Sequence, residues 1–183
     1  MRLVEIAHNR LKRILCPGDI CIDATAGNGH DSLFLAKSTS PNGIVYAFDI
    51  QESAILKTAE RLKQNGFKEQ LKTIHDSHDK LDQIIDLEFR GDVASIMFNL
   101  GYLPGGNHQI ITQAYSTVKS VEQAYLLLRK NGIITIICYR GHAGGESETQ
   151  EVLNLCETKK WKTEQIYGSE NPWSPVLVII EKL

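Results

Sequence analysis

The run Asp23-Ala24-Thr25-Ala26-Gly27-Asn28-Gly29-His30-Asp31 constrains this chain more than any other stretch. It follows the apolar segment Ile20-Cys21-Ile22 and precedes Leu33-Phe34-Leu35-Ala36, where helical spacing begins. A strand therefore runs into a glycine turn that opens a helix. Gly27 and Gly29 carry no side chain, so a ligand can lie against the backbone there. The N–H groups at the start of the following helix attract electron-rich or anionic groups. Placed between a strand and a helix, Gly-x-Gly points to a nucleotide-like ligand.

Neighbouring residues narrow the choice. A dinucleotide site wants Gly-x-Gly-x-x-Gly, and Ser32 stands where the third glycine would be. Asp23 sits at the strand end, just before the glycines. A carboxylate there suits a ligand with a cationic amino-acid portion better than one with a pyrophosphate. Ile44-Val45-Tyr46-Ala47-Phe48 reads as a second strand ending in Asp49. An acid at that point accepts hydrogen bonds from a ribose diol in either cofactor class. Asp-x-x-x-Gly-x-Gly, followed by an acid closing the next strand, resembles class I S-adenosylmethionine-dependent methyltransferases. A turn serving NAD in an oxidoreductase is the competing reading.

With 183 residues, 42% of them apolar, the length fits one domain, 1–183, with a full core. Cys16, Cys21, Cys138 and Cys156 show no Cys-x-x-Cys spacing, which suits reduced thiols in a cytoplasmic protein. His75, His78 and His108 stand at no metal-ligand spacing with a cysteine pair, so no metal is expected. No signal peptide and no run of membrane-spanning length is expected either. A net charge of −2 does not favour nucleic acid, so such a partner must be met by a local patch. Arg2, Arg10, Lys12, Arg13 and Arg140 are the candidate phosphate contacts, the first four on the polar face of a helix read over 2–15.

Periodicity predicts strands at 19–23, 44–48, 71–75, 93–98, 133–139, 162–167 and 176–180. Helices are predicted up to about 37, over 52–64, from near 79, and over 146–160. A long amphipathic helix is read from Ile111 to Leu128, with Asn131-Gly132 as its stop. The last two strands leave no room for a crossover helix and must form a hairpin. The expected fold is α/β and Rossmann-like: a seven-stranded, mostly parallel sheet with an antiparallel C-terminal hairpin, as in class I methyltransferases.

Ligands of open α/β sheets bind outside the carboxyl ends of the strands. The expected cofactor rim is therefore Asp23, Ala26, Gly27, Asn28, Gly29, His30 and Asp31, then Asp49, Ile50 and Gln51, then Asp76, Ser77 and His78, then Asn99 and Leu100. Asp76 either meets an adenine amino group or caps the helix that starts near Asp79. Methyl transfer is an in-line displacement and needs a nucleophile with its lone pair held about 3 Å from the methyl carbon. Asn99 Oδ1 can accept hydrogen bonds from an amine nucleophile, and Tyr102 can stack on a flat base. Asn99-Leu100-Gly101-Tyr102 looks like the Asn-Pro-Pro-Tyr box of amino-group methyltransferases, with Leu-Gly replacing both prolines. His142 can take the amine's proton, bind the base, or only hold the Gly144-Gly145 turn. The substrate side is read as Tyr102, Pro104, Gly105 and Gly106, with Tyr139, Arg140, Gly141, His142, Gly144 and Gly145 opposite.

Asp-Ala-Thr-x-Gly-Asn-Gly-His-Asp, Asn-Leu-Gly-Tyr-Leu-Pro-Gly-Gly and Tyr-x-Gly-His-x-Gly-Gly together resemble one family over essentially the whole chain. These are the bacterial proteins long labelled rRNA methylases, members of which are assigned as tRNA 5-aminomethyl-2-thiouridine methyltransferases. The resemblance implies methyl transfer from S-adenosylmethionine to the 5-aminomethyl group of a wobble uridine in a tRNA anticodon, and a homodimer. Two departures are Ala143, where the family often has Pro, and Asn107, where Asp commonly follows the Gly-Gly pair. rRNA, a small-molecule amine, and a non-catalytic cofactor-dependent RNA-binding module stay open as alternatives.

Overall fold

The computed structural model describes residues 2–85, 87–101, 105 and 111–183, the side chain of Glu88 excepted. Its strands are β1 (Ile20–Asp23), β2 (Ile44–Asp49), β3 (Leu71–His75), β4 (Val93–Leu100), β5 (Leu128–Cys138), β6 (Lys162–Tyr167) and β7 (Val176–Glu181). Between them lie α1 (Leu3–Leu11), α2 (His30–Thr39), α3 (Glu52–Gln64), α4 (Leu81–Ile84), α5 (Ala114–Leu127) and α6 (Gly145–Lys159). The strands form one sheet in the order β3-β2-β1-β4-β5-β7-β6. The first four neighbouring pairs run parallel, and β7 is antiparallel to both β5 and β6. This is the expected fold.

Alternation along the strands divides the core into two layers. Ile22, Phe48, Ile96, Phe98, Ile134 and Ile136 pack with Val121 and Ala124 of α5 and Val152 of α6. Cys21, Val45, Met97, Ile133 and Ile137 face the other way, against Ala7 and Leu11 of α1, Leu35 of α2 and Leu62 of α3. β1 is buried at all four residues, as a central parallel strand should be. Cys21, Cys138 and Cys156 are buried unpaired thiols within these layers, while Cys16 is exposed.

Three elements depart from the sequence reading. The long helix ends at Leu127, and the strand after it begins at Leu128, well before Asn131-Gly132. Leu128 already pairs with Val93, and the ladder resumes only at Ser95–Ile133. The extra residues are absorbed in a bulge where Asn131 has φ 61° and donates its N–H to the Lys182 carbonyl, while the Lys182 N–H donates to the Gly132 carbonyl. The Asn-Gly pair is thus a kink inside a strand rather than a helix stop. The first helix closes at Leu11, and its Arg10 pairs with Glu164 of β6 at 2.5 Å, so only part of the predicted basic face is available to a partner. Near Asp79 a single 3-10 turn, His78–Lys80, precedes the short α4. Its cap is Ser77, whose hydroxyl accepts from the Asp79 N–H at 3.4 Å, while Asp76 pairs with Lys80.

Among the described residues, no helix is long and apolar enough to cross a membrane.

Candidate active site

The strand order reverses between β1 and β4. A cleft of about 1480 Å³ opens outside the carboxyl ends of the strands at that point. The β1 loop forms its floor. Gly27 has φ 55°, and its N–H donates to Asp49 Oδ2 at 2.9 Å, while Gln51 N–H donates to Asp49 Oδ1 at 2.9 Å. One carboxylate therefore fixes both the glycine turn and the end of β2. Arg61 of α3 supports the turn from behind, its Nε donating to the Asn28 carbonyl at 2.6 Å.

The glycines divide their labour. Gly27 lines the cleft, but Gly29 does not. Gly29 caps α2 at φ 76°, where an added Cβ would come 2.8 Å from the Thr58 Cα. Its bare backbone serves the packing of α2 on α3.

The acids also part company with the sequence expectation. Asp23 is fully buried beneath the turn and is not among the cleft-lining residues. Its oxygens accept from the Ser32 hydroxyl at 2.6 Å and the Thr25 N–H at 3.2 Å. Burial, reinforced by the charge of Asp31, pushes its carboxyl up to about 7. The β1 strand end is simply too deep in the sheet for its side chain to reach a ligand. Asp31, at the start of α2, lines the cleft where Asp23 was expected. It accepts from His8 Nε2 at 2.6 Å and from Asn99 Nδ2.

Ala26, Asn28, His30, Asp49, Ile50, Gln51, Asp76, Ser77, His78, Asn99 and Leu100 all border the same cleft. Asp76 is held below the usual carboxylate range by its Lys80 partner. His78 Nδ1 donates to the Ala24 carbonyl at 3.2 Å, and burial lowers its pKa, favouring the neutral ring.

On the substrate side, the backbone N–H of Asn99 donates to Thr25 Oγ1 at 2.7 Å. Gly101 and Thr112 close the base of the following loop: Thr112 N–H donates to the Gly101 carbonyl at 3.0 Å, and Gly101 N–H to Thr112 Oγ1 at 2.9 Å. Buried Glu148 of α6 anchors that base by accepting from the hydroxyls of Thr112 at 2.7 Å and Thr117 at 2.6 Å. His142 Nδ1 donates to the Ala143 carbonyl at 3.0 Å, and the ring packs over Gly101 and Gly145. A Cβ on Gly145 would lie 2.3 Å from the Tyr139 carbonyl oxygen, so Gly145 serves close packing under the His142 loop, while Gly144 caps α6 at φ 82°; neither lines the cleft. Tyr139, Arg140, Gly141 and His142 do line it, and Arg140 is held by Glu146 through Nε at 2.5 Å and Nη2 at 2.9 Å. Gly105 is an exposed turn residue, and Tyr102, Pro104 and Gly106 lie outside the described residues.

Residues 45–181 match the family model described as Putative rRNA methylase. The Arabidopsis thaliana protein named tRNA (mnm(5)s(2)U34)-methyltransferase, chloroplastic, is 35% identical over 192 residues, spanning 99% of this chain and 69% of that one. The chain belongs to the Putative rRNA methylase family. A putative rRNA methylase from Clostridium thermocellum superposes with a TM-score of 0.92 at 35% identity, over 100% of this chain and 98% of the other. SMU.1697c, a putative methyltransferase from Streptococcus mutans solved in complex with SAH, gives a TM-score of 0.87 at 33% identity, over 100% and 99%. Like its family, the chain is a methyltransferase.

Two walls of this methyltransferase cleft were not legible in the sequence. Leu3, Val4, Glu5 and His8 come from α1, with Arg2 at its N-cap, and Gly168, Ser169, Trp173, Ser174 and Pro175 come from the β6–β7 turn. The available signals were faint. His8 sits beside the buried Ala7, at the margin of the apolar stripe, and Trp173 is a large aromatic in a turn where it stays 63% exposed.

Proposed function

We propose that the chain transfers a methyl group from S-adenosylmethionine to the amino nitrogen of a 5-aminomethyl group on 2-thiouridine at the tRNA wobble position. The observation that carries the reading is Asn99: an amide at the β4 end, set between an acidic cofactor floor and the His142 loop. The name of the Arabidopsis relative supports the substrate, and the SAH in the Streptococcus mutans structure supports the cofactor.

The donor set fits that cofactor. Asp49 keeps its orientation through two backbone N–H groups and has lone pairs left for a ribose diol. Asp31 supplies negative charge for a cationic amino-acid portion, and the bare Gly27 backbone allows close approach. Asp76, Ser77 and His78 close the end assigned to the adenine. When bound, S-adenosylmethionine supplies a methyl carbon on a positively charged sulfur, and that sulfur leaves with the bonding electron pair.

The chain's own residues prepare the nucleophile. Asn99 Oδ1 accepts an N–H of the neutral amine and leaves its lone pair aimed along the line of displacement. His142 takes up the proton released by the amine or holds the base. Tyr139, Trp173 and Arg140 border the mouth and offer faces for the flanking nucleotides. We also propose that the whole chain works as one RNA-binding domain, as a homodimer, in the cytoplasm.

The direct test incubates the purified protein with S-adenosylmethionine and tRNA bearing 5-aminomethyl-2-thiouridine, followed by nucleoside mass spectrometry. One added methyl on that nucleoside is expected. Methylation of rRNA alone, or of a free amine alone, would displace the reading.

Two further results are expected. Asp49→Ala should weaken S-adenosylhomocysteine binding by about 1.5–3 kcal/mol, the range for hydrogen bonds to a charged group. The loss should lie at the upper end, because the same substitution releases the Gly27 turn; calorimetry that finds unchanged affinity would remove Asp49 from the site. The apparent affinity for tRNA should fall steeply with salt through counterion release, and Lys12→Ala with Arg13→Ala should flatten the slope. A salt-independent affinity would point to a small-molecule substrate.

A further inference from the structure

The amide of Asn99 faces the cleft in one orientation. Its Nδ2 donates to Asp31 Oδ2, which turns Oδ1 away from that carboxylate. The opposite flip would set two oxygens against each other with no proton between them. Asp31 therefore decides whether Asn99 offers the rest of the cleft an acceptor or a donor.

Asp31 is itself held from the far side. His8 Nε2 donates to Asp31 Oδ1 at 2.6 Å, and the Asp31 side chain is only 8% exposed. The imidazole lies flat on Phe34, with ring centroids 3.8 Å apart and planes within 6°. Phe34 and Asp31 both belong to α2, so the stack and the hydrogen bond fix the ring against one rigid element. Removing the His8 donor leaves a buried carboxylate oxygen short of a partner and the carboxylate able to rotate.

We propose that His8 is a positioning residue of the transfer step: acting through Asp31, it holds the Asn99 amide with Oδ1 toward the amine. The proposal rests on the reading of the substrate as an amine. An acceptor at that point takes an N–H and leaves the lone pair to attack. A donor there would hydrogen-bond the lone pair itself and block the displacement. The flip of one amide thus separates a productive site from an inhibited one.

The test uses the whole protein with His8→Phe, which keeps the stack on Phe34 and removes the donor, and His8→Gln, which restores an N–H near the Nε2 position. Single-turnover methylation should slow by about tenfold or more in His8→Phe, as small misplacements of reacting groups do. Affinity for S-adenosylhomocysteine should fall far less than the rate, and His8→Gln should recover most of the rate. Side-chain ¹⁵N spectra, assigned with Asn99→Ala, should show the Asn99 Nδ2 protons losing their Asp31-bonded shift in His8→Phe and regaining it in His8→Gln. An unchanged rate or unchanged Asn99 signals in His8→Phe would overturn the proposal, as would a rate loss matched by an equal loss of cofactor affinity. Should His8→Phe fail to fold, His8→Ala takes its place with the same criteria. If wild type methylates no amine, the functional reading fails, and the spectra alone still decide whether His8 fixes the amide.

Discussion

Asn99→Ala is expected to lower the single-turnover methylation rate by about 10²-fold or more, the scale of losing one preorganised polar contact at a reacting centre. A primary aliphatic amine is mostly protonated at neutral pH, so the site has to receive or create the neutral form before its lone pair can attack. Asn99 Oδ1 accepts a hydrogen bond without carrying charge. It orients the amine without the strong preference for ammonium that a carboxylate would impose. Cofactor affinity should fall much less, because the floor formed by Gly27 and Asp49 does not depend on the Asn99 side chain. Asn99→Asp provides the sign check. It sets a second carboxylate against Asp31 and stabilises the ammonium form, so the pH–rate profile should move to higher pH. The measurement is single-turnover methylation across pH for wild type and both variants, with S-adenosylhomocysteine affinity alongside. A near-wild-type rate in Asn99→Ala would reduce the residue to part of the β4 turn, and the contact to the amine would pass to His142.

How much of this was legible depends on whether a residue's role is local or tertiary. The strand–turn–helix at 20–35 could be read because its signals are short-range: a buried apolar run, two glycines, then helical spacing. The hairpin of β6 and β7 followed from chain length alone. Asp23 was misplaced because sequence shows that an acid ends a strand but not how deep the strand lies; only the sheet shows Asp23 sealed under Ser32. The bulge at Asn131 was missed because Asn-Gly stops helices and kinks strands with the same left-handed backbone. His8 was missed for a different reason. Its partners Asp31 and Phe34 are brought to it by the packing of α1 beside α2, and a histidine at the edge of an amphipathic stripe gives no local sign of it. The glycines Gly29 and Gly145 read as ligand-facing, yet both serve close approach between parts of the scaffold.

Between about pH 4 and pH 7, the stability of the folded chain should decline on account of Asp23. Its carboxyl rises from an ordinary 3.8 to about 7 in the fold, first through burial and second through the charge of Asp31. In that window the native state keeps a proton that the unfolded state has released. Proton uptake on unfolding is then negative, so unfolding free energy decreases as pH rises and levels off once native Asp23 has ionised. At 1.36 kcal/mol per pKa unit the total is on the order of 4 kcal/mol, an upper bound for a group that interacts with another carboxylate. Asp23→Asn removes the titration while keeping an oxygen for the Thr25 N–H. The variant should therefore match wild type near pH 3, where Asp23 is protonated in both states, and exceed it in Tm near pH 8, with a flatter profile between. Other carboxylates titrate in both proteins, so the difference between the two profiles isolates Asp23. Parallel profiles would mean that Asp23 is already ionised under the glycine turn at low pH. The Asp23 charge would then sit beneath the cleft at every pH at which the protein is folded, and the floor of the cleft would favour a cationic ligand throughout that range.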